Sequence, residues 1–343
     1  METKATVFDQ LEGQDVMRYT LINDQQTRIS VLSYGGTWQE FVVNEDGVEH
    51  PLIWGLDSLA EYQRVGFCLC QSIGRVAGRI GGAKFEIDGQ PYQVDMNEQT
   101  HSLHGGYHGF NTLNFAGEFS QTADSVSVTL SHHIQATDDD YPGNLDLQIK
   151  FTLNNENRVS IAFTGATDAA TLFNPTNHVY WNVADDRTSL DHQWLQIHSD
   201  QHLAFDAEKV PTGQKLAVKD TAYDFNYPQP VQEALKQLKV ESDGVEFDDA
   251  YEVTPSATTP IAALGDTEGQ RQVTLYSDRN SLIIFTANPF DGEAQAAHHY
   301  NALATEAQTL PDAINQKDFG DIILRPGQPV THTISYQYDR LTK

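Results

Sequence analysis

The chain has 343 residues, and 39% of them are hydrophobic before glycine is counted, so it can bury a sizeable core. Its formal net charge is −27, and a field of that sign repels phosphate backbones and anionic lipids, which argues against nucleic-acid and membrane partners. The N-terminal segment METKATVFDQLEGQDV has no apolar stretch and no basic start, unlike a signal peptide, and no run of the sequence reaches the length of a membrane span. We therefore expect a cytoplasmic location.

Period-2 alternation of apolar and polar residues, which is typical of half-buried strands, dominates the chain. It is clearest from Leu145 to Leu153 and from Val330 to Tyr338, and the other strand-like runs are RYTLI, RISVLSY, WQEFVV, KFEI, VSVTL, VSIAF, VTLYS and LIIFTA. Helical patterns are few and short, near residues 56–62 and 230–238. Strands without regular helix alternation predict an all-β protein, a large antiparallel β-sandwich with few short helices.

We predict one domain over residues 1–343, because no low-complexity linker divides the chain. The turn-rich stretch 209–228 is interpreted as a long loop rather than a boundary. The cysteines, Cys68 and Cys70, lie two residues apart in FCLC, a spacing near the upper limit of disulfide geometry if the segment is a strand. We expect both to be reduced, buried, small hydrophobic side chains.

The first candidate site segment spans residues 74–106 and contains GRVAGRI and HSLHGG. Arg75, Arg79 and His104 stand there among glycines and small residues, where side chains have room for a ligand. Arginine offers a rigid fork of donors, and histidine can donate, accept or transfer a proton near neutral pH. The alternative is structural: the arginines pair with surface carboxylates, and His104 caps a turn.

Three later segments are also polar where a plain strand would not be. His178 lies among asparagines and aromatic residues in NPTNHVYWN, Asp248 and Asp249 are adjacent in EFDDAYEV, and Glu306 precedes a turn in TEAQTLPDAIN. A half-buried carboxylate has a raised pKa and can act as a general base. Ordinary positions at strand ends and solvated edges would explain the same residues without any function.

These residues allow more than one kind of chemistry. One histidine and one glutamate form an acid/base couple, whereas Asp248 with Glu306 would suit a glycoside hydrolase or lyase. A metal site is a third possibility, because His101, His104 and His108 are clustered and two histidine pairs occur later, at His132–His133 and His298–His299. None of these histidines has a tight ligand signature such as HExxH, so we predict no metal site.

Taken in order, these segments resemble the aldose 1-epimerases, also called galactose mutarotases. The similar segments run from about Tyr34 to the C-terminus and are GRVAGRI, SLHGG, YPGNL, NPTNHVYWN, FDDAY, TEAQTLPDAINQ and ILRPG. The resemblance implies a large antiparallel β-sandwich that interconverts the α and β anomers of aldohexoses, such as galactose or glucose, without cofactor or metal. The expected partner is a monosaccharide, or a disaccharide, bound by a monomer or homodimer.

Residue by residue, the resemblance implies that Glu306 and His178 are catalytic. It also implies that Arg79, His104 and Asp248 bind the sugar, and it leaves Arg75 with a structural role. Two positions depart from the pattern: Gly78 stands where many members have asparagine, and Ile283 where some have glutamine. Because both changes remove polar groups, a carbohydrate-binding sandwich without catalysis is the alternative from another class.

Overall fold

The computed structural model describes residues 1–341, in which 28 β-strands account for most of the regular structure. In chain order, the first fourteen are β1 (Glu2–Leu11), β2 (Gln14–Ile22), β3 (Arg28–Leu32), β4 (Thr37–Glu45), β5 (Val48–Pro51), β6 (Ser72–Ile73), β7 (Arg79–Ile80), β8 (Lys84–Ile87), β9 (Gln90–Gln93), β10 (Ser102–Leu103), β11 (Ala116–Gln121), β12 (Ser125–Ile134), β13 (Leu145–Asn154) and β14 (Arg158–Thr167).

The second half of the chain contributes the strands that surround the candidate site. They are β15 (Thr171–Leu172), β16 (Thr176–Asn177), β17 (Val179–Trp181), β18 (Gln193–Ile197), β19 (Gln201–Phe205), β20 (Pro211–Ala217), β21 (Gln229–Pro230), β22 (Asp248–Glu252), β23 (Ala262–Asp266), β24 (Arg271–Ser277), β25 (Ser281–Ala287), β26 (Ala302–Gln308), β27 (Ile323–Leu324) and β28 (Val330–Arg340). The helices are short: α1 (Leu59–Val65), α2 (Ala136–Asp139), α3 (Val231–Ser242) and α4 (Gly292–Ala296).

Three sheets carry the architecture. A five-stranded sheet has the order β1-β2-β3-β4-β5, a nine-stranded sheet the order β11-β12-β13-β14-β28-β24-β23-β18-β21, and a six-stranded sheet the order β17-β26-β25-β22-β19-β20. Neighbours within these sheets pair antiparallel, as in β13 with β14 and β25 with β26. Strands hold about 49% of the chain and helices about 10%, which confirms the predicted antiparallel β-sandwich with few short helices.

A continuous apolar core joins the three sheets. Trp38 of β4 and Trp181 of β17 meet edge to face, with ring centroids 5.7 Å apart, and Trp181 lies 5.2 Å from Tyr336 of β28. Each aromatic ring therefore comes from a different sheet, and large rings in such contacts dominate core energetics. Strand β26, in the interior of the six-stranded sheet, is buried on both faces along its whole length.

Some sequence-based expectations were wrong in detail. Residues 209–228 are not all loop, because β20 lies within them, and β1 was missed altogether. Both are edge strands that are largely exposed, so they lack the apolar face that an alternation pattern detects. FCLC is a turn rather than a strand, since Cys68 and Cys70 have φ angles of 49° and 54°.

The two cysteines are free thiols, Cys70 buried and Cys68 partly exposed. Burial raises the pKa of each thiol to about 12. Among residues 1–341, no helix is both long enough and apolar enough to cross a membrane.

Candidate active site

A cavity of about 450 Å³ opens on one face of the six-stranded sheet, next to the loops before β6 and around β10. Its volume falls within the range of roughly 300–1,000 Å³ that is usual for small-molecule sites. Arg79, His104, His178, Asp248 and Glu306, the five residues expected to act on a sugar, all line it. The fold thus brings together side chains that are up to 227 positions apart in the sequence (Arg79 to Glu306).

Glu306 lies in the interior strand β26, and its cross-strand partner on β25 is Ile283. Only 5% of Glu306 is exposed, and its Oε2 atom has no hydrogen-bond partner among the described residues. Burial, with a smaller contribution from the charge of Asp248, raises the pKa of Glu306 to about 8, and the charge of Arg79 opposes the shift. The carboxyl group is therefore poised to exchange a proton near neutral pH.

His178 sits between β16 and β17, where its backbone is fixed by the FCLC turn. Its N–H donates to the carbonyl of Gln71 over 2.9 Å, and its carbonyl accepts from the N–H of Cys70 over 3.0 Å. The imidazole stacks on Tyr180 with centroids 4.9 Å apart, and its Nδ1 has no hydrogen-bond partner among residues 1–341. Burial lowers the pKa of His178 to about 4, although the charge of Asp248 opposes the shift.

The Nε2 atom of His178 lies 3.4 Å from Oε1 of Glu306. Burial disfavours both the imidazolium and the carboxylate, so the pKa of Glu306 lies above that of His178, the reverse of the ordinary order of these two groups. Near neutral pH these two shifts favour a pair that holds one proton and has no net charge. Such a pair can give and take a proton across a single contact.

Arg79 enters the cavity from β7, which pairs with β10 so that Arg79 lies opposite Leu103. Glu98 fixes its guanidinium through two hydrogen bonds, from Nε over 2.6 Å and from Nη2 over 2.8 Å. This bidentate pairing sets the plane of the guanidinium and leaves the N–H donors of Nη1 for other partners.

His104 is held in one tautomer by its backbone neighbours. Its Nδ1 accepts from the N–H of Gly78 over 3.2 Å, so the neutral ring carries its proton on Nε2. The ring meets that of His178 edge to face at 5.5 Å, and burial lowers its pKa well below the ordinary value. The next residue, Gly105, permits the chain to pass close to Gly74, because a Cβ there would lie 1.9 Å from the carbonyl oxygen of Gly74.

Asp248 and Asp249 both line the cavity, at the start of β22. Asp248 pairs with Phe285 on β25, which places it two residues from the level of Ile283 and Glu306 and on the same face of the sheet. The Nζ of Lys209 lies 3.5 Å from its Oδ2. Asp249 instead accepts from the N–H of Asp248 over 3.0 Å, and burial raises its pKa to about 6. Sheet register therefore groups Asp248 with the His178–Glu306 pair.

The two positions that depart from the family pattern also line the cavity. Gly78 has a φ of +74°, and a Cβ there would lie 3.3 Å from Nε2 of Gln308. The amide of Gln308 is buried, and neither of its polar atoms has a partner among residues 1–341. Ile283 presents an aliphatic surface directly beside Glu306. This part of the wall is therefore less polar at residues 78 and 283 than the resemblance implies.

Arg75 does not reach the cavity. It is fully buried and donates to both carboxylate oxygens of Asp139, over 2.7 and 3.0 Å, as well as to the hydroxyl of Thr171 and two backbone carbonyls. This placement agrees with the structural role expected for it, although the carboxylate is a buried one rather than a surface one. His101 is also outside, with its Nε2 2.7 Å from Glu208.

One atom each from His104, His178 and Glu306 lie within 4.8 Å of one another, a spacing that three ligands of a metal ion can also adopt. The expected histidine cluster at 101, 104 and 108 contributes only His104 to this group. Sequence reasoning missed several cavity residues, among them Glu98, Lys209, Phe67, Phe285 and Gln308. Gln308 stands inside TEAQ, two residues after Glu306 on the same face of a strand, a spacing that could have identified it.

A buried imidazole–carboxyl pair in a cavity of this size can perform acid/base chemistry on a small polar ligand, and the family to which the chain belongs makes it an isomerase of the class that acts on carbohydrates. The chain belongs to the aldose 1-epimerase family, whose model matches residues 17–337.

Similar proteins agree with this membership. The chain is 51% identical to maltose epimerase of Levilactobacillus brevis, over 99% of this chain and 100% of that protein. It is 36% identical to aldose 1-epimerase of Streptococcus thermophilus, over 98% and 99%. The crystal structure of galactose 1-epimerase from Lactobacillus acidophilus NCFM superposes with a TM-score of 0.86 at 25% identity, and each chain is covered completely.

Proposed function

We propose that this protein is a 1-epimerase that interconverts the α and β anomers of maltose, and that monosaccharides such as glucose and galactose are secondary substrates. The observation that carries the reaction is the buried pair of His178 and Glu306, 3.4 Å apart in a cavity of sugar size. The observation that supports maltose is the 51% identity, over nearly the whole chain, to a protein named maltose epimerase.

In the proposed reaction, the pair acts in its charge-separated form, with the proton on His178. Arg79 lowers the pKa of Glu306 and Asp248 raises that of His178, and both of these contributions favour the charge-separated form, whereas the effect of Asp248 on Glu306 opposes it. Glu306 removes the proton of the anomeric hydroxyl, and that oxygen becomes the carbonyl of an aldehyde. The bond from C1 to the ring oxygen breaks, its electron pair stays on the ring oxygen, and His178 protonates that atom.

The open-chain aldehyde then rotates about its C1–C2 bond. Its hydroxyl oxygen attacks the other face of the carbonyl, neutral His178 takes the hydroxyl proton, and protonated Glu306 returns a proton to the new anomeric oxygen. The enzyme ends in its starting state, so no cofactor is consumed. The exchange of roles requires that each residue works in both protonation states, which suits two groups whose pKa values lie on either side of neutrality.

Arg79, His104 and Asp248 are the proposed sugar-binding residues. Arg79, aligned by Glu98, has a donor to spare, and the Nε2–H of His104 is a second donor beside His178. Asp248 supplies acceptors for charge-assisted hydrogen bonds from hydroxyl groups. Together these donors and acceptors around the pair would hold a pyranose ring.

Polarimetry of freshly dissolved α anomers tests this function. We expect the protein to accelerate the change in optical rotation of α-maltose, with smaller effects on α-D-glucose and α-D-galactose. Saturable sugar binding without acceleration would instead identify a carbohydrate-binding sandwich, and release of new reducing ends from maltose would identify a glycoside hydrolase using Asp248 and Glu306.

We also propose that residues 1–343 act as one domain, because one apolar core joins all three sheets. A cytoplasmic location remains our proposal as well, and the free thiols of Cys68 and Cys70 support it, since reducing compartments preserve thiols.

A further inference from the structure

Two aromatic rings lead from the imidazole–carboxyl pair toward solvent. Phe285 of β25 meets His178 edge to face, with ring centroids 6.5 Å apart. Phe67, in the loop after α1, stacks beside Phe285 at 6.2 Å with an angle of 17° between the ring planes. Both rings line the cavity and both are partly exposed, and together they form a continuous apolar surface on its wall, which we call the platform.

Neither ring is needed for the proton transfers proposed above. Phe285 lies two residues along β25 from Ile283, which faces Glu306, so the platform begins about 6.7 Å from the level of the reacting carboxyl group. The backbone of Phe67 has a separate structural task, since its carbonyl accepts from the hydroxyl of Tyr180 over 2.8 Å. The side chain of Phe67 is partly exposed and packs against the edge of the apolar core, and it takes no part in the acid/base chemistry.

We propose that Phe285 and Phe67 form a subsite for the second glucose ring of maltose. This inference rests on the proposed function and identifies the residues that would favour a disaccharide. In maltose the second ring is joined to O4 of the reacting ring, at the end opposite C1. In the proposed orientation C1 lies at Glu306 and O4 points along β25 toward Phe285, so the second ring is displaced by about one ring from the carboxyl group and reaches the platform. The apolar C–H faces of a glucose ring pack on aromatic surfaces while its hydroxyl groups stay in water.

The test compares Phe67→Ala with the wild-type protein by polarimetry on α-maltose and α-D-glucose. The substitution keeps the backbone carbonyl that accepts from Tyr180. We expect the ratio of kcat/KM for maltose to that for glucose to fall about tenfold, a loss typical of truncating an aromatic anchor. Phe67→Trp, which retains a flat ring, should keep the ratio within about twofold of wild type by the same reasoning.

Phe290→Ala is the matched control, because Phe290 is also partly exposed and packs on an aromatic ring, that of Trp54, but lies outside the cavity. Its ratio should equal that of wild type. Thermal denaturation of each variant separates loss of the platform from loss of folded protein.

The outcomes separate the two proposals. A wild-type protein that leaves α-maltose unaffected would overturn maltose as the substrate, and the subsite with it. The subsite alone would be overturned if the wild-type protein accelerates the mutarotation of α-maltose but Phe67→Ala lowers kcat/KM equally for maltose and glucose, or lowers neither.

Discussion

His178 and Glu306 approach each other to 3.4 Å in a place where solvent reaches 6% of the first residue and 5% of the second. Burial at this contact moves the two pKa values in opposite directions, to about 4 for the imidazole and about 8 for the carboxyl group. The pair therefore retains a single proton over a wide range of pH. Three of the following predictions depend on that proton.

Glu306→Gln should abolish most of the catalytic acceleration. The amide cannot take the anomeric proton, and the loss of one positioned acid/base group costs roughly 10²–10⁴-fold in rate. Polarimetry on α-maltose and α-D-glucose measures the loss. Glu252→Gln is a matched control, since Glu252 pairs with Lys215 outside the cavity. A folded Glu306→Gln variant with wild-type rate would show that Glu306 is not the base.

The pH profile of kcat/KM should be bell-shaped, with limbs near 4 and 8. Below the lower limb the pair gains a second proton, and above the upper limb it loses the only one it has. Ile283→Gln should move the upper limb to lower pH, because an amide donor opposite Glu306 stabilises the carboxylate. Ile283→Val adds no donor and should leave both limbs in place. An unchanged upper limb in the glutamine variant would mean that this limb does not report Glu306.

Stability should fall as the pH rises from about 6.5 to about 8. The folded protein keeps the Glu306 proton up to a pKa of about 8, whereas the unfolded chain releases it near the ordinary value of 4.5. The contribution of Glu306 to the free energy of unfolding therefore falls as the pH rises between these two values. Below pH 6.5 the lowered pKa of His178 has the opposite effect: stability rises with pH there, because the unfolded chain binds a proton that the native imidazole does not.

The two effects offset each other between about 4.5 and 6.5, which leaves a net decrease of up to about 2 kcal/mol above that range. Urea unfolding at pH 6.5 and pH 8 measures it. In Glu306→Gln the decrease should disappear, so the variant gains stability relative to wild type at pH 8. A slope that survives the substitution would assign the decrease to another group.

Glu98→Gln should weaken sugar binding more than it slows the chemical step. Glu98 fixes the guanidinium of Arg79 through two short hydrogen bonds, and a neutral amide can accept only one of them. We expect KM to rise about tenfold with a smaller change in kcat. Glu208→Gln alters a comparable contact outside the cavity, that of His101, and should leave KM unchanged. Equal changes of KM in the two variants would contradict a positioning role for Glu98.

Asp139→Asn should destabilise the protein by about 3–5 kcal/mol, because it leaves the charge of fully buried Arg75 without its carboxylate. Chemical denaturation measures the loss, and the folded fraction should retain its kcat. Asp88→Asn breaks an ion pair of the same kind with Arg325 on the surface, where both side chains are exposed, and should cost less than about 1 kcal/mol. Similar losses in the two variants would contradict a structural role for Arg75.

The sequence predicted the sandwich because alternation records which face of each strand is buried, as from Leu145 to Leu153 of β13. It missed β1 and β20 for the same reason, since a largely exposed edge strand needs no apolar face. The resemblance then selected Arg79, His104, His178, Asp248 and Glu306, and the structure places all five around one cavity. Their roles stay predictions until the experiments above are done.

The sequence alone determined which residue types were available for acid/base chemistry and that the chain folds as strands, because composition and alternation are local properties. The tertiary structure decided which of those residues meet. Only the packing of β26 against β17 and β25 shows that Glu306 is buried beside His178 and opposite Ile283. Only the fold shows that Glu98 aligns Arg79 and that Asp139 binds Arg75 outside the site. It also shows that Phe67 and Phe285 stack on the same wall of the cavity. Burial and contact between distant segments set pKa values and donor geometry, and neither is encoded by spacing along the chain.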